Sequence, residues 1–166
     1  MKKLKDVLNE ALDKPYGPIQ WKGQQGFGDS IIVKGLFTTD QKIQYQIEFV
    51  IFPGKDGGDE ANVEFKEVRS GGGPVDIGGG KNSPVGITGK GDAFRVFATV
   101  IEGIKDIVSR GKTLNVIRFD SFKDLPTRVR LYDRLVKVLA RKIGFKADID
   151  KTSDPEVVLY TLTRKK

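Results

Sequence analysis

The sequence predicts a single α/β domain of the α+β mixed kind, with a mixed, mostly antiparallel sheet and flanking helices. Its first half alternates apolar and polar residues with period two, most clearly from Lys42 to Phe52, which is typical of strands with one face in water. Its second half holds two segments with helical spacing of apolar residues, each followed by a strand candidate. The length of 166 residues fits one domain, residues 1–166.

The first half begins with a predicted amphipathic helix from Lys2 to Asp13. Strands are expected at Ser30 to Phe37 and at Lys42 to Phe52, joined by a short turn into a hairpin. A third strand is expected at Ala61 to Val68. The following segment, at about 69–86, holds seven glycines and is predicted to be a mobile loop without regular structure.

The second half alternates helices and strands. A helix is predicted from Asp92, as its N-cap, to about Ser109, and a buried strand from Thr113 to Phe119. A second long helix is expected from Arg128 to Ile143, with Gly144-Phe145 as its stop, the phenylalanine folding back on the last turn. Glu156 to Thr163 is the last predicted strand.

The composition excludes several kinds of chemistry. The chain has no cysteine and no histidine, so thiolate or imidazole zinc sites, Ser-His and Cys-His nucleophile pairs and disulfides are impossible. Catalysis would have to use carboxylate, tyrosine, lysine, hydroxyl or backbone groups. Without cysteine and histidine, we also expect no metal site. No apolar run approaches the length of a membrane span, so we expect a soluble protein with no membrane contact.

Positive charge is concentrated in the C-terminal third of the chain. The net charge is +7, and the segment from Arg110 to Lys166 holds 15 Lys and Arg against 7 Asp and Glu. Such a surface attracts an anionic group, which could be nucleic acid, a CoA phosphate or an acidic protein. A basic surface that serves solubility alone is the other interpretation.

Four cations of the second helix recur at spacings of four, three and four, and are predicted to form one stripe beside the apolar face. They are Arg130, Arg134, Lys137 and Arg141. The stripe could follow a nucleic-acid backbone, with binding that weakens steeply with salt. Only Tyr132 lies nearby for base stacking, so a protein or phosphate surface is favoured over single-strand recognition; a solvated helix face is the alternative.

A glycine-containing turn before the first long helix is predicted to cradle an anion at the helix N-terminus. Its residues are Thr88, Gly89, Lys90, Gly91, Asp92 and Ala93. An ordinary helix cap with Asp92 as the capping residue is the alternative. The turn is not a Walker A loop, because Lys90 is followed by glycine rather than by serine or threonine.

Tyrosine and glutamate are the remaining candidates for acid-base chemistry. Tyr132 is predicted at the edge of a buried helix face, as a core residue with its hydroxyl at the rim or as an acid. Glu48, Glu64 and Glu67 could act as general bases only if they point into a cleft, and alternation places Glu48 and Glu64 on the polar face.

The last 80 residues or so resemble the second half of the GNAT acetyltransferases. The resemblance lies in Gly91-Asp92-Ala93 opening a helix, the strand Thr113 to Phe119, the run Arg128-Val-Arg-Leu-Tyr132, and Gly144-Phe145. It implies acetyl-CoA as cofactor, with Thr88 to Ala93 as the pyrophosphate loop and Tyr132 as the acid that protonates the departing thiolate.

Three departures from the family pattern argue against activity. Thr88 stands where the family has Gln or Arg, Tyr132 lies about three helical turns before Gly144, and the glycine segment interrupts the approach to the turn. An enzyme would also need an open V-shaped cleft between the strands leading to Thr88 and to Phe119.

The runs Ile87 to Val100 and Arg128 to Leu135 are similar to domains of tailed-phage proteins, some of them virion proteins. We therefore expect a phage-encoded, non-catalytic GNAT-like binding protein with a basic C-terminal surface and no cofactor. Its partner would be a phage or host protein, with nucleic acid bound through the basic helix as the alternative, in the virion or the host cytoplasm. An acetyl-CoA-dependent N-acetyltransferase is the alternative function.

Overall fold

A computed structural model describes residues 15–40, 42–68, 74–76, 92–110, 113–124 and 126–166, without the side chains of 74–76, 92–94, 126–128 and 131. The helix predicted from Lys2 to Asp13 lies outside the described residues. The described chain is a mixed α/β fold, as the sequence predicts.

The described residues form nine strands and two helices. The strands are β1 (Gln20–Trp21), β2 (Gln25–Phe27), β3 (Ser30–Thr38), β4 (Gln44–Pro53), β5 (Asp59–Val68), β6 (Pro74–Asp76), β7 (Leu114–Phe122), β8 (Phe145–Asp150) and β9 (Val157–Arg164). The helices are α1 (Asp92–Arg110) and α2 (Pro126–Ile143). Both long helices therefore form where their apolar spacing predicts them, within two residues at each end.

All the described strands belong to one sheet, in the order β1-β3-β4-β5-β7-β9-β8, with β2 beside β3 and β6 beside β5. Among the described strands, β5 and β7 form the one parallel pair, and every other pair is antiparallel. The prediction of a mostly antiparallel mixed sheet is confirmed. A parallel pair requires a long crossover, and α1 lies in the chain between β5 and β7.

The period-two pattern sorts the strand residues between two faces. In the β3–β4 hairpin, Phe37 stands opposite Tyr45 and Gly35 opposite Ile47, all buried. These residues join the buried side chains of α1 and α2 in one hydrophobic core. Among the described residues, the other face carries polar side chains such as Glu64, which is exposed. Both helices thus cover the face that the alternation predicts to be buried.

The sequence interpretation misses β8, which begins at Phe145 instead of folding back on the helix. Gly144 ends α2 in the left-handed conformation, with φ of 73°, as predicted. The chain then enters a strand because Phe145, Ala147 and Ile149 alternate with polar residues and pair with β9.

The glycine segment is not wholly without structure, because Pro74–Asp76 form β6. They pair with Lys66–Val68 of β5. This pairing provides hydrogen-bond partners for backbone groups on the edge of β5 that faces away from β4. The very short strands β1 and β2 were also not predicted, and they carry too few residues for a period to be visible.

Candidate functional site

The parallel strands β5 and β7 separate partway along their length. They pair only from Asp59 opposite Leu114 to Asn62 opposite Arg118, although β5 runs on to Val68 and β7 to Phe122. The resulting opening between the two strands is called the split below. The strand expected to lead to Thr88 lies outside the described residues, so of the two strands expected to border a V-shaped cleft the structure describes only β7, which leads to Phe119.

Side chains tie the closed end of the split together. The Thr113 hydroxyl donates a hydrogen bond to Asp59 Oδ2 at 2.6 Å, and Arg118 forms an ion pair with Glu60. Asp59 N–H also donates to the Thr113 carbonyl at 2.7 Å. The narrow end is therefore fixed across both strands, and the divergence begins just beyond it.

The wide end of the split is occupied by β6. One edge of β5 is paired with β4 along its whole length, from Asp59 to Val68. A strand has only two edges, so β6 must lie on the edge that faces β7. The backbone groups of Lys66–Val68 on that edge are therefore bonded to the chain itself.

Aromatic rings line the side of the split that faces the helices. Phe65 of β5 lies edge-on to Phe97 of α1, with ring centroids 5.4 Å apart, and Tyr132 of α2 lies 5.2 Å from Phe97. Phe119 of β7 borders the same space. The cavity left between them is about 40 Å³, room for a few waters but far below the roughly 300 Å³ of small ligand pockets.

Tyr132 lies at the centre of the buried face of α2, not at its edge. Only 3% of its surface is exposed, and its ring contacts Phe65, Phe97 and Tyr160. Tyr132 contacts rings of β5, α1 and β9 because its side chain points from α2 towards the sheet, next to α1. Its exposure is that of a core side chain.

A polar group closes one side of this cluster. The Tyr160 hydroxyl donates to Asp133 Oδ1 at 3.0 Å, and Lys151 Nζ lies 2.7 Å from Asp133 Oδ2. Tyr160 is fully buried, and this burial, followed by its hydrogen bond to Asp133, raises the pKa of the hydroxyl above its ordinary value. Neither Tyr160 nor Asp133 is predicted from the sequence as a site residue, because they lie 27 positions apart and no local pattern links them.

The candidate general bases are divided between the two faces of the sheet. Glu48 pairs with Lys34 at 3.4 Å and Glu64 with Lys66 at 2.9 Å, both on the face away from the helices, as the alternation predicts. Glu67 belongs to the opposite row, which it shares with Phe65. Glu48 and Glu64 are thus kept away from the helix side of the split.

The predicted anion cradle can be placed only in part. Thr88, Gly89, Lys90 and Gly91 lie outside the described residues, and Asp92 and Ala93 are the first two residues of α1, without described side chains. The helix start itself is where the sequence predicts it.

The four cations of α2 form an exposed stripe, called the basic stripe below. Arg130, Arg134, Lys137 and Arg141 are all exposed. The stripe lies opposite the buried face and not beside it, because at 100° per residue its centre falls about half a turn from Tyr132. It extends over about 16 Å of helix.

The basic stripe differs from the other helix in its ion pairs. On α1, Arg95 pairs with Asp40 at 2.7 Å, Lys105 with Glu102 at 3.2 Å and Arg110 with Asp106 at 2.8 Å. Within the described part of the chain, no ion pair involves a residue of the basic stripe. Its positive charge is therefore available to an external anion.

Comparison with family models and with curated proteins finds no match to this chain. Over the residues that the structure describes, no helix is long and apolar enough to cross a membrane. Nor do those residues bring together three or more side chains of the types that could hold a metal ion. The function is therefore inferred from the geometry of the split and of the basic stripe.

Proposed function

We propose that this protein is a non-catalytic binding protein that holds an anionic partner on the basic stripe of α2. The carrying observation is that Arg130, Arg134, Lys137 and Arg141 are exposed together on one helix face, outside every ion pair of the described residues. Four cations on a rigid helix bind an anionic surface without first having to break internal contacts.

The domain belongs, in this proposal, to a GNAT-like class. Support comes from α1, β7, α2 and β9, which follow the helix-strand-helix-strand order that the resemblance implies, with β8 as an additional strand between α2 and β9. The proposal is also supported by the separation of β7, the strand that leads to Phe119, from its parallel neighbour β5 after Asn62. The phage origin, and with it a place in the virion or the host cytoplasm, rests on the similarity of Ile87 to Val100 and Arg128 to Leu135 to tailed-phage domains.

The non-catalytic part of the proposal rests on the contents of the split. Its wide end is paired with β6, and its helix side is filled by Phe65, Phe97 and Tyr132 around a cavity of about 40 Å³. A cofactor arm would have to displace these groups. On this support from the split we assign no cofactor.

An acidic protein surface, on a phage or host protein, is the partner that the stripe fits best. Base stacking requires exposed rings, and Tyr132, the aromatic residue nearest the stripe in sequence, is buried. A convex helix with cations over about 16 Å instead suits carboxylates distributed over a protein surface. Binding to nucleic-acid phosphates is the competing outcome.

The test is a pair of binding titrations, one with poly-glutamate and one with duplex DNA, each at low and at physiological salt. We expect poly-glutamate to bind and the triple variant Arg130→Glu, Arg134→Glu, Arg141→Glu to bind at least about tenfold more weakly, because each reversal replaces attraction with repulsion. Tighter binding of DNA than of poly-glutamate would assign the stripe to nucleic acid.

A matched control keeps the same net charge as the triple variant. Lys22, Lys55 and Lys165 are exposed and lie outside α2, so Lys22→Glu, Lys55→Glu, Lys165→Glu changes the charge equally at other places. We expect this control to retain most of the affinity. Equal losses in both variants would mean that total charge, and not the stripe, governs binding, and would contradict the proposal.

An acetyl-CoA-dependent N-acetyltransferase is the second candidate, favoured by the separation of β5 from β7 after Asn62. Tyr132 would be its acid and Glu67 the strand carboxylate on the helix side of the sheet. This function requires β6 and the aromatic rings to leave the split when the cofactor binds.

A further inference from the structure

The strand β8 stands at one end of the sheet. Its residues pair with β9 along one edge, from Phe145 opposite Arg164 to Asp150 opposite Leu159. Among the described strands none pairs with its other edge. An edge strand of this length presents alternating N–H and C=O groups to any strand that can match its side chains.

The side chains of β8 divide into an apolar and a charged row. Phe145, Ala147 and Ile149 face the helices, and the last two are only half-buried at the edge. Lys146 and Asp148 are exposed on the open face. Their neighbours on β9 are Thr163 and Thr161, so neither charge stands directly opposite an opposite charge on that strand.

We propose that β8 binds β8 of a second copy of this chain in an antiparallel pair, with Ala147 opposite Ala147 of the partner subunit. This register places Lys146 opposite Asp148 of the partner subunit twice, by symmetry. It also places Phe145 opposite Ile149 of the partner subunit twice. From Phe145 to Ile149, every directly opposed pair is then apolar with apolar or positive with negative, and Asp150 stands opposite Gly144 of the partner subunit.

The neighbouring registers are disfavoured. A symmetric register that keeps the faces matched must shift its centre by one residue. Centring on Lys146 opposes two lysines, and centring on Asp148 opposes two aspartates. The second also asks Asp150 to pair with a lysine, yet the Asp150 carboxylate already accepts hydrogen bonds from Thr152 N–H at 2.9 Å and Ser153 N–H at 3.0 Å.

The two-fold axis of this pair is perpendicular to the sheet. Both copies therefore keep their helices on the same side, and the two sheets join into one. The self-complementarity of one short strand is what selects a second copy over an unrelated extended peptide. The inference stands independently of the partner proposed for the basic stripe.

Sedimentation of the full chain, from low micromolar to near-millimolar concentration, tests the proposal. We expect a reversible dimer, and a loss of affinity of about tenfold or more in Lys146→Asp and in Asp148→Lys, because each opposes two like charges. The double variant Lys146→Asp, Asp148→Lys restores opposite charges in the same register and is expected to restore the dimer.

Lys55→Asp is the control, since Lys55 is exposed in the loop between β4 and β5 and should leave the dimer unchanged. Unfolding midpoints of all variants show whether each remains folded. A wild-type protein that stays monomeric at every concentration overturns the proposal. So does a dimer that survives either single reversal, or one that the double variant fails to restore.

Discussion

At the scale of single residues, position in three dimensions decides what a side chain can do. Tyr132 is predicted from its spacing to lie at the edge of the apolar face of α2, but the diverging strands bring Phe65 and Phe97 around its ring. Helical spacing gives the direction of a side chain within its own helix. The spacing of Leu135, Val136 and Leu139 after Tyr132 already directs this side chain to the centre of the apolar face, but it does not reveal which rings of other elements will cover it.

Tyr160 should remain protonated well above the ordinary tyrosine pKa. Since the folded state favours the neutral hydroxyl, this residue contributes stability that is present below about pH 10 and is lost as the pH rises through its raised pKa. We expect the free energy of unfolding to fall more steeply above about pH 10 in the wild type than in Tyr160→Phe. Urea unfolding across this pH range measures both slopes, and equal slopes would contradict the assignment.

At the scale of elements, the sequence predicts best what depends on local periodicity. The hairpin of β3 and β4, the strand β5 and both helices follow from apolar spacing alone. The strand β8 also alternates apolar and polar residues from Phe145 to Asp150. It is not predicted because Phe145 is assigned to the end of the preceding helix. By contrast, the pairing of β6 with β5 and the separation of β5 from β7 depend on contacts between segments that are distant in sequence, and local periodicity does not predict such contacts.

The side chains of Ile19 and Trp21 pack directly on β3 because Gly35 has no side chain. A Cβ there would lie 2.6 Å from Ile19 Cγ2 and 2.8 Å from a ring carbon of Trp21. We therefore expect Gly35→Ala to lower the free energy of unfolding by about 1–3 kcal/mol through overpacking. Chemical denaturation measures the change.

Gly23→Ala is the matched control for this prediction. A Cβ at Gly23 would meet no heavy atom within 4 Å, and its backbone is not in the left-handed region. Its effect should stay within about 0.5 kcal/mol. If both alanine variants unfold alike, the contact of Ile19 and Trp21 with Gly35 does not limit stability.

At the scale of the whole molecule, part of the excess positive charge of the C-terminal third lies together on one helix face. The excess of Lys and Arg after Arg110 could have been spread over the surface, but four of these cations share one exposed face of α2. The split, in turn, is occupied by the protein itself. Within the described residues, the basic stripe is therefore exposed, whereas the helix side of the split is lined by the protein's own aromatic side chains.

The acetyl-CoA alternative is tested by thermal unfolding of the purified protein with and without the cofactor in excess, for the wild type and for Tyr132→Phe. Anything that binds the folded state alone raises the unfolding midpoint. Because β6 and the aromatic rings fill the split, we expect no shift in either protein at millimolar acetyl-CoA. A saturable rise in the midpoint would show that the split opens to the cofactor and would contradict the non-catalytic function proposed here.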